Sequence, residues 1–347
     1  MNKTPIIIIN WNGIQDTIEC IKSVVSMKGI YFHIHLIDNA SDNNEGDQLN
    51  SLFAKESKLT FYQYPKNYGF SKAHIKIWEE VLIHLNSSYI ALLNNDTIVD
   101  QNWLYEMISF AQSNKVDMVS SKMINFNNRD LMDNAGHKML NTGEIIPVGH
   151  ALSIHDYNSH QINMGACAGA SLYRSSMIKK IGFFDSFFST GYEDAEFGLR
   201  AVVCGFLCMY NPKAIVYHKG GASIRKIFNQ DYSVMIQTSI LYSYFKLVPF
   251  QNIIFSFPSI ILKNFSIVIV DIVFRRWNYL QIWKQSWFNI FLLRKLIFHK
   301  RREFYRKQHS IISSRNFSKK TIFFLKFDLI RFWKFIILKE QSSIDKY

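Results

Sequence analysis

Residues 89–100 read YIALLNNDTIVD. An apolar run, Tyr89 to Leu93, stops abruptly at Asn94, Asn95 and Asp96. Such a run bounded by turn formers predicts a buried strand that ends in a polar loop. A turn requires only one Asn or Asp. A metal site requires an acid held at a rigid strand end, so the other strands must decide between the two.

Upstream, the same punctuation recurs. PIIIIN (5–10) closes on Asn10, Trp11, Asn12 and Gly13, and HIHLIDNAS (33–41) closes on Asp38, Asn39, Ala40 and Ser41. Helical patterns lie between the strand-like runs: DTIECIKSVVSM (16–27), GDQLNSLFAKE (46–56), SKAHIKIWEEVLIHL (71–85) and NWLYEMISFAQ (102–112). LTFYQYP (59–65) and VDMVSSKMI (116–124) complete the rhythm. Strand and helix in alternation predict an α/β fold, a Rossmann-like, mainly parallel sheet with helices on both faces. Ligands of such sheets collect at the carboxyl ends of the strands. No G-x-G-x-x-G follows the first strand, so a dinucleotide fingerprint is missing.

From residue 163 the pattern changes. A stretch of small residues containing Gly165, Ala166, Ala168, Gly169 and Ala170 reads as a strand, followed by a short basic helix, the aromatic loop GFFDSFF and an acidic helix start, YEDAEFGLR. A strand of small residues lets a sugar approach the backbone closely, or lets a helix pack tightly; both readings stand. Glu196 and Arg200, four apart, read as a surface ion pair. NPKAIVYHKGGAS (211–223) is a last strand running into His218.

At 347 residues the chain has room for one large domain with an appendage, or for two domains. Residues 1–230 hold 20 Lys and Arg against 21 Asp and Glu, and residues 231–347 hold 20 against 6, so the whole positive excess sits in the last third. That third also holds 26 of the 53 aromatic residues. A near-neutral globular domain over 1–230 is therefore expected to precede a basic, aromatic helical region over 231–347 that meets an anionic partner. Cys20, Cys167, Cys204 and Cys208 show no zinc-type pairing and read as reduced, partly buried thiols of a cytosolic protein. Four isoleucines near the N-terminus are too few for a signal peptide.

Taken in order, NWNG, DNASD, NYGF, LLNNDT, GFFDSFF with YEDAEFGLR, and VYHKGGAS resemble the inverting family 2 glycosyltransferases, nearest their rhamnosyltransferase-like and galactofuranosyltransferase-like branch. The resemblance spans residues 5 to about 225 and implies a GT-A fold, a UDP- or dTDP-sugar donor and a divalent metal, Mn2+ or Mg2+. It implies that Asp96 and His218 bind the metal, with Asn94 standing where the family often has an acid. Oxygen ligands suit Mg2+ and Mn2+, and imidazole suits Mn2+ better. It further implies Asp194 as catalytic base, with Glu193 orienting it or holding the acceptor. A wall of Phe183, Phe184, Phe187 and Phe188 is expected to raise the base's pKa. Asp38 is implied to accept from the N3–H of uracil or thymine. Asn10, Trp11, Asn12, Asn67, Asn94, Asn95 and Gly169 complete the nucleotide-sugar site. Alternatives remain: Asp96 as an Asx turn before the helix at Trp103, and Asp194 as a helix cap.

Residues 253–274 approach the length of a membrane span, but Pro258, Lys263 and Asp271 interrupt them. Aromatic and basic residues alternate over Arg275–Lys307, with Trp277, Trp283 and Trp287 prominent, and KKTIFFLKFDLIRFWKFIILKE (319–340) repeats the theme. Basic amphipathic helices of this kind lie on anionic membrane surfaces. No RNA or DNA motif appears, so nucleic acid is not an expected partner. The expected protein is a peripheral enzyme on the cytoplasmic face of the bacterial inner membrane. It moves a hexose or deoxyhexose to a lipid-linked glycan in cell-surface polysaccharide synthesis. A silent nucleotide-sugar-binding scaffold subunit is the other reading.

Overall fold

The computed structural model describes residues 3–220 and 230–308, together with 321, 322, 324, 328, 329 and 333. Two compact units emerge: one of residues 1–137, 147–202 and 206–220, the other of 138–146, 203–205 and 221–347.

The first unit opens with β1 (Thr4–Asn10), α1 (Ile14–Val25), β2 (Phe32–Asp38), α2 (Glu45–Phe53), β3 (Leu59–Gln63), α3 (Gly69–Glu80), β4 (Tyr89–Leu93), β5 (Thr97–Val99) and α4 (Trp103–Ser113). It continues through β6 (Met118–Asn125) and β7 (Met132–Asn134); then come β8 (His137–Leu140) and β9 (Ile145–Pro147), which run into the second unit. The chain returns with β10 (Gln161–Asn163), β11 (Ala170–Arg174), α5 (Ser175–Ile181), α6 (Glu193–Val203) and β12 (Cys208–His218).

The main sheet runs β10-β12-β6-β11-β4-β1-β2-β3, with β5 added on β12 and β7 on β6. Strands β3, β2, β1 and β4 are parallel, as the alternating rhythm predicts. β11 departs from it, lying antiparallel between β4 and β6. The apolar stripe of α1 (Cys20, Ile21, Val24) and that of α4 (Trp103, Leu104, Met107) bury into one core with Ile6, Ile8, Leu36 and Leu93. α3 stops at Glu80, short of the predicted Leu85, and a single 3-10 turn over Leu82–His84 follows it.

Strand register does the positioning. β1 pairs β2 residue for residue from Thr4 with Phe32 to Asn10 with Asp38, so the two polar ends finish side by side. β5 pairs the end of β12, with His218 opposite Thr97, which brings the imidazole beside Asp96. β7 pairs β6, with Asn134 opposite Met123, which brings Asp133 to the same edge.

Two expectations are corrected. Residues 164–169 form a loop rather than a strand, because Gly165 lies against Gly198 of α6: a Cβ on Gly198 would stand 2.6 Å from the Gly165 Cα. Glu196 and Arg200 are buried, not on the surface. Arg200 donates to both Glu196 oxygens, at 3.1 and 2.8 Å, and to the carbonyls of Ile181, Gly182 and Phe183. One guanidinium thus satisfies a buried carboxylate and the carbonyls that end α5.

The second unit holds α7 (Gln230–Leu247), α8 (Phe250–Val273) and α9 (Trp277–Gln308), with β8, β9 and β13 (Thr321–Ile322) in a small sheet. α7 and α9 pack along each other, with Ser286 of α9 buried and bonded to the Val234 carbonyl. Most of the predicted helix over 319–340, and Gly221 to Ser223 of the last motif, lie outside the described residues.

Candidate functional site

The carboxyl ends of β1 and β2 are stitched together by their own side chains. Asn10, wholly buried, donates to Asp38 at 2.9 Å, to Ser41 at 3.0 Å and to Glu45 at 3.1 Å, and accepts from Thr17 at 2.7 Å. Asp38 is 1% exposed, and its carboxylate accepts from Asn10 and from the Ser41 hydroxyl and backbone N–H. The side chain expected to meet a nucleobase therefore anchors the 39–44 loop. Asn12, in the left-handed region at φ 53°, exchanges two hydrogen bonds with Asp42. Asn67 accepts from Asn39 at 2.9 Å and from the Gly69 backbone at 2.7 Å, tying that loop to the start of α3. Asn95 donates to Thr17, while Trp11 is half-buried at the rim. Asn94 donates its backbone N–H to the Gly169 carbonyl, and its side-chain amide lies 3.5 Å from where a Gly169 Cβ would stand. Ser71 to His74, at the start of α3, are largely core: His74 packs on Phe70 and Phe184.

Beyond β4 lies the charged centre. His218 Nε2 is 3.3 Å from Asp96 Oδ1, and its Nδ1 is 2.9 Å from Asp133 Oδ2. Burial alone would lower the His218 pKa, but the two carboxylates raise it well above the ordinary value. Burial likewise works to raise the carboxyls of Asp96 and Asp133, and the imidazole more than offsets it, holding both below the usual range. The Nε2 nitrogen, buried, makes no hydrogen bond of good geometry. Asp96 does not cap α4, whose start has no side-chain cap; the Asx turn before it is made by Asp100, accepting from the Asn102 N–H at 2.9 Å. Lys219 donates its backbone N–H to the Asp96 carbonyl and pairs with Asp16 and Glu19.

At the first turn of α6, Asp194 accepts from the Ala168 N–H at 2.9 Å and from the Ala195 N–H at 2.7 Å. Its Oδ2 is 3.8 Å from His137 Nε2. Glu193 is buried beside Asp194: burial first, then the Asp194 charge, pushes the Glu193 carboxyl up to about 8, and its Oε2 has no hydrogen-bond partner. Phe183 and Phe184 stack on each other and on Phe197, Phe70 and His74, forming the floor beneath α6. The two acid groups share one neighbour. The Cys167 thiol is raised well above its ordinary value by burial, then by Asp194, with Asp133 and Glu193 adding to the effect. Asp133 and Asp194 thus both act on Cys167 of the 164–169 loop, and Asp133 also holds His218, which faces Asp96.

Asp133, His137 and Cys167 are residues that sequence reading passed over. The signal for the first two is the run Asp133-Asn134-Ala135-Gly136-His137, which a turn accounts for equally well, and Cys167 read only as a partly buried thiol.

Comparison with known proteins follows from this geometry. Against solved structures, the chain superposes on GalNAc-T7 with UDP, GalNAc and Mn2+ at a TM-score of 0.56, with 13% identity, over 70% of this chain and 48% of that one. It superposes on S. aureus TarS 1-349 in complex with UDP at 0.50, with 13% identity, over 71% and 66%. These likenesses show the fold: a GT-A arrangement of a mostly parallel sheet with flanking helices. Among curated proteins, a stretch of 129 residues is 26% identical to the bifunctional glycosyltransferase pgtA of Dictyostelium discoideum, covering 36% of this chain and 16% of that protein. The chain thus spans only a minor part of that relative and about half to two thirds of the two solved chains. The sequence model described as Glycosyl transferase family 2 matches residues 6–182, just over half of the chain, and takes in β1, β2, β4, Asp96 and the small-residue loop. This protein is a member of glycosyl transferase family 2.

Proposed function

We propose that the protein is an inverting glycosyltransferase that moves a hexose or deoxyhexose from a UDP- or dTDP-sugar to a hydroxyl of a lipid-linked glycan in cell-surface polysaccharide synthesis. Family membership supports transfer from a nucleotide sugar. The observation that carries the reading is the His218 Nε2: a buried nitrogen 3.3 Å from Asp96 Oδ1 and without a hydrogen bond of good geometry, while Asp133 holds the ring by its other nitrogen. A histidine that gives Nδ1–H to a carboxylate can offer Nε2 to a metal in exchange for the Nε2 proton, the usual second-shell arrangement of a metal-ligating imidazole. The residues present therefore fit a divalent ion, Mn2+ or Mg2+, held by Asp96 and His218. When bound there it supplies Lewis-acid stabilisation of the leaving diphosphate.

The chain's own residues do the remaining work. Asp194 takes the acceptor proton; two backbone N–H groups fix its carboxylate in place. The acceptor oxygen attacks the anomeric carbon from the side opposite the diphosphate, which inverts the configuration. Glu193, its carboxyl raised by burial and by the Asp194 charge, resists ionising and so opposes a second charge beside the base. Asn10, Asp38 and Asn12 hold the loop that carries the nucleoside, with Trp11, Asn67, Asn94, Asn95 and Gly169 lining it.

Membrane association is supported by α8. Its exposed side is apolar, with Phe255 83% and Phe265 64% exposed. The charges that interrupt it are turned away and paired, Lys263 with Glu144 and Asp271 with Arg276. By length and composition this one helix among the described residues is long and apolar enough to cross a bilayer. An in-plane helix, its charged side against protein and its apolar side in lipid, agrees better with those paired charges. We propose a peripheral location, on the cytoplasmic face of the bacterial inner membrane. Trp283 and Trp287 contribute otherwise than expected: both indoles donate to Asn264 of α8 and serve helix packing.

The test is nucleotide release from a panel of UDP- and dTDP-sugars with Mn2+ and a membrane lipid extract. Wild-type protein is expected to turn over one donor, and Asp194→Asn to bind that donor while losing turnover by about 100-fold or more. Donor binding without turnover in wild type would favour the silent scaffold subunit, and near-normal turnover in Asp194→Asn would remove the role given to that residue.

A further inference from the structure

We propose that His137, Cys167 and Asp194 form a second site for a divalent ion, a thiophilic one of the zinc class, and that glycosyl transfer stops while it is filled. Binding rests on geometry alone; inhibition rests on the role proposed above for Asp194.

The three side chains come from the start of β8, the 164–169 loop and the first turn of α6, and their ligand atoms all lie within 4.8 Å of one another. His137 Nε2 and Asp194 Oδ2 are 3.8 Å apart. Backbone bonds hold the three pieces in register. His137 N–H donates to the Gly165 carbonyl at 2.9 Å, and Met164 N–H donates to the His137 carbonyl at 2.8 Å. The Gly165–Gly198 contact then fixes the loop on α6, the helix that carries Asp194.

Zinc bonds of about 2.0–2.3 Å place tetrahedral ligand atoms roughly 3.5 Å apart, so side-chain adjustments of about an ångström close the site. Sulfur with imidazole and carboxylate selects zinc or cobalt over Mg2+ and Mn2+, which favour oxygen. The carboxylates of Asp194 and Asp133 both act on the thiol, and their charge favours a dication there. On binding, the S–H bond breaks, its proton leaves to solvent and a sulfur–metal bond forms, with no change of oxidation state. Three protein ligands leave a fourth position for water. The Asp194 carboxylate, now a ligand, no longer accepts the acceptor's proton, and a chelator restores it.

Cobalt reports the site without any turnover. Titrating the full-length chain with Co2+ is expected to give a thiolate-to-cobalt charge-transfer band that saturates at one equivalent and that Zn2+ displaces. The band is expected to vanish in Cys167→Ser and to weaken in His137→Gln. With excess Mn2+ present, Zn2+ is expected to inhibit donor turnover in wild type, and Cys167→Ser to need roughly 10–100-fold more zinc for the same inhibition. No thiolate band in wild type at stoichiometric cobalt, or a band that survives Cys167→Ser, overturns the site. A chain that binds cobalt through Cys167 yet transfers no sugar with any metal keeps the site and removes the glycosyltransfer reading instead.

Discussion

Asp133 decides how His218 presents itself. Its carboxylate takes the Nδ1 side of the ring, and His150 approaches its other oxygen at 3.9 Å. Replacing it with Asn keeps the volume and removes the charge that orients and enriches the imidazole. Asp133→Asn is expected to weaken Mn2+ binding by about 10–100-fold, read directly by electron paramagnetic resonance of the free ion. Unchanged affinity would reduce Asp133 to a structural partner. Gly198 is the second decisive residue. An added Cβ meets the Gly165 Cα at 2.6 Å and the Met164 carbonyl at 2.8 Å, both backbone, so neither can rotate aside. Gly198→Ala is expected to cost about 1–3 kcal/mol of stability, seen as a lower urea midpoint with an unchanged slope.

Among the elements, α6 matters most, because its first turn carries the acid pair and the same helix carries Glu196 and Arg200. Arg200→Ala leaves a wholly buried carboxylate without its cation and is expected to cost about 3–5 kcal/mol. Replacing both partners with apolar residues of similar volume should recover most of that loss; if the double variant is as unstable as the single one, the carbonyl clamp on α5 outweighs the ion pair. Two other elements make the fold acid-sensitive. His35 in β2 and His74 in α3 are buried, and burial holds each imidazole down to about 4. The unfolded chain takes up these protons near 6.5, the folded chain only near 4. Their contribution to stability is therefore complete above pH 6.5 and is lost as the pH falls toward 4. Unfolding midpoints at pH 7 and pH 4.5 should differ less in His74→Leu than in wild type, and an equal drop in both would assign the acid lability elsewhere.

At the scale of the whole molecule, charge and apolar surface are both unevenly distributed. The positive excess lies after residue 230, and α8 in that region exposes a row of Phe, Ile and Leu. Full-length protein is expected to sediment with vesicles containing anionic lipid more strongly than with neutral ones, and less so as salt is raised. Phe255→Ser with Phe265→Ser should weaken this binding at least tenfold, since each buried phenyl is worth about 1.5–3 kcal/mol. Equal binding to neutral vesicles, or tight salt-sensitive binding to duplex DNA with none to vesicles, would count against a membrane surface.

What the sequence by itself determined is what short-range physics controls. Apolar runs ending in Asn and Asp, alternating with helical periodicity, are enough to specify a mainly parallel α/β sheet with a polar carboxyl edge, and Asp96, His218 and the acid pair stand out as candidates because each sits at an element boundary. Only the tertiary structure decided which of these groups meet. Asp133 is 85 positions from His218, and β7 reaches the edge by pairing with β6, a choice no local pattern encodes. Cys167 and His137 look like core and turn until antiparallel β11 carries the loop before it across the sheet. Glu196 and Arg200 read as a surface pair because helical spacing records which residues are neighbours and not which face is covered. Burial, and with it the raised carboxyl of Glu193, belongs to the packed molecule, because desolvation depends on atoms that the rest of the chain brings in.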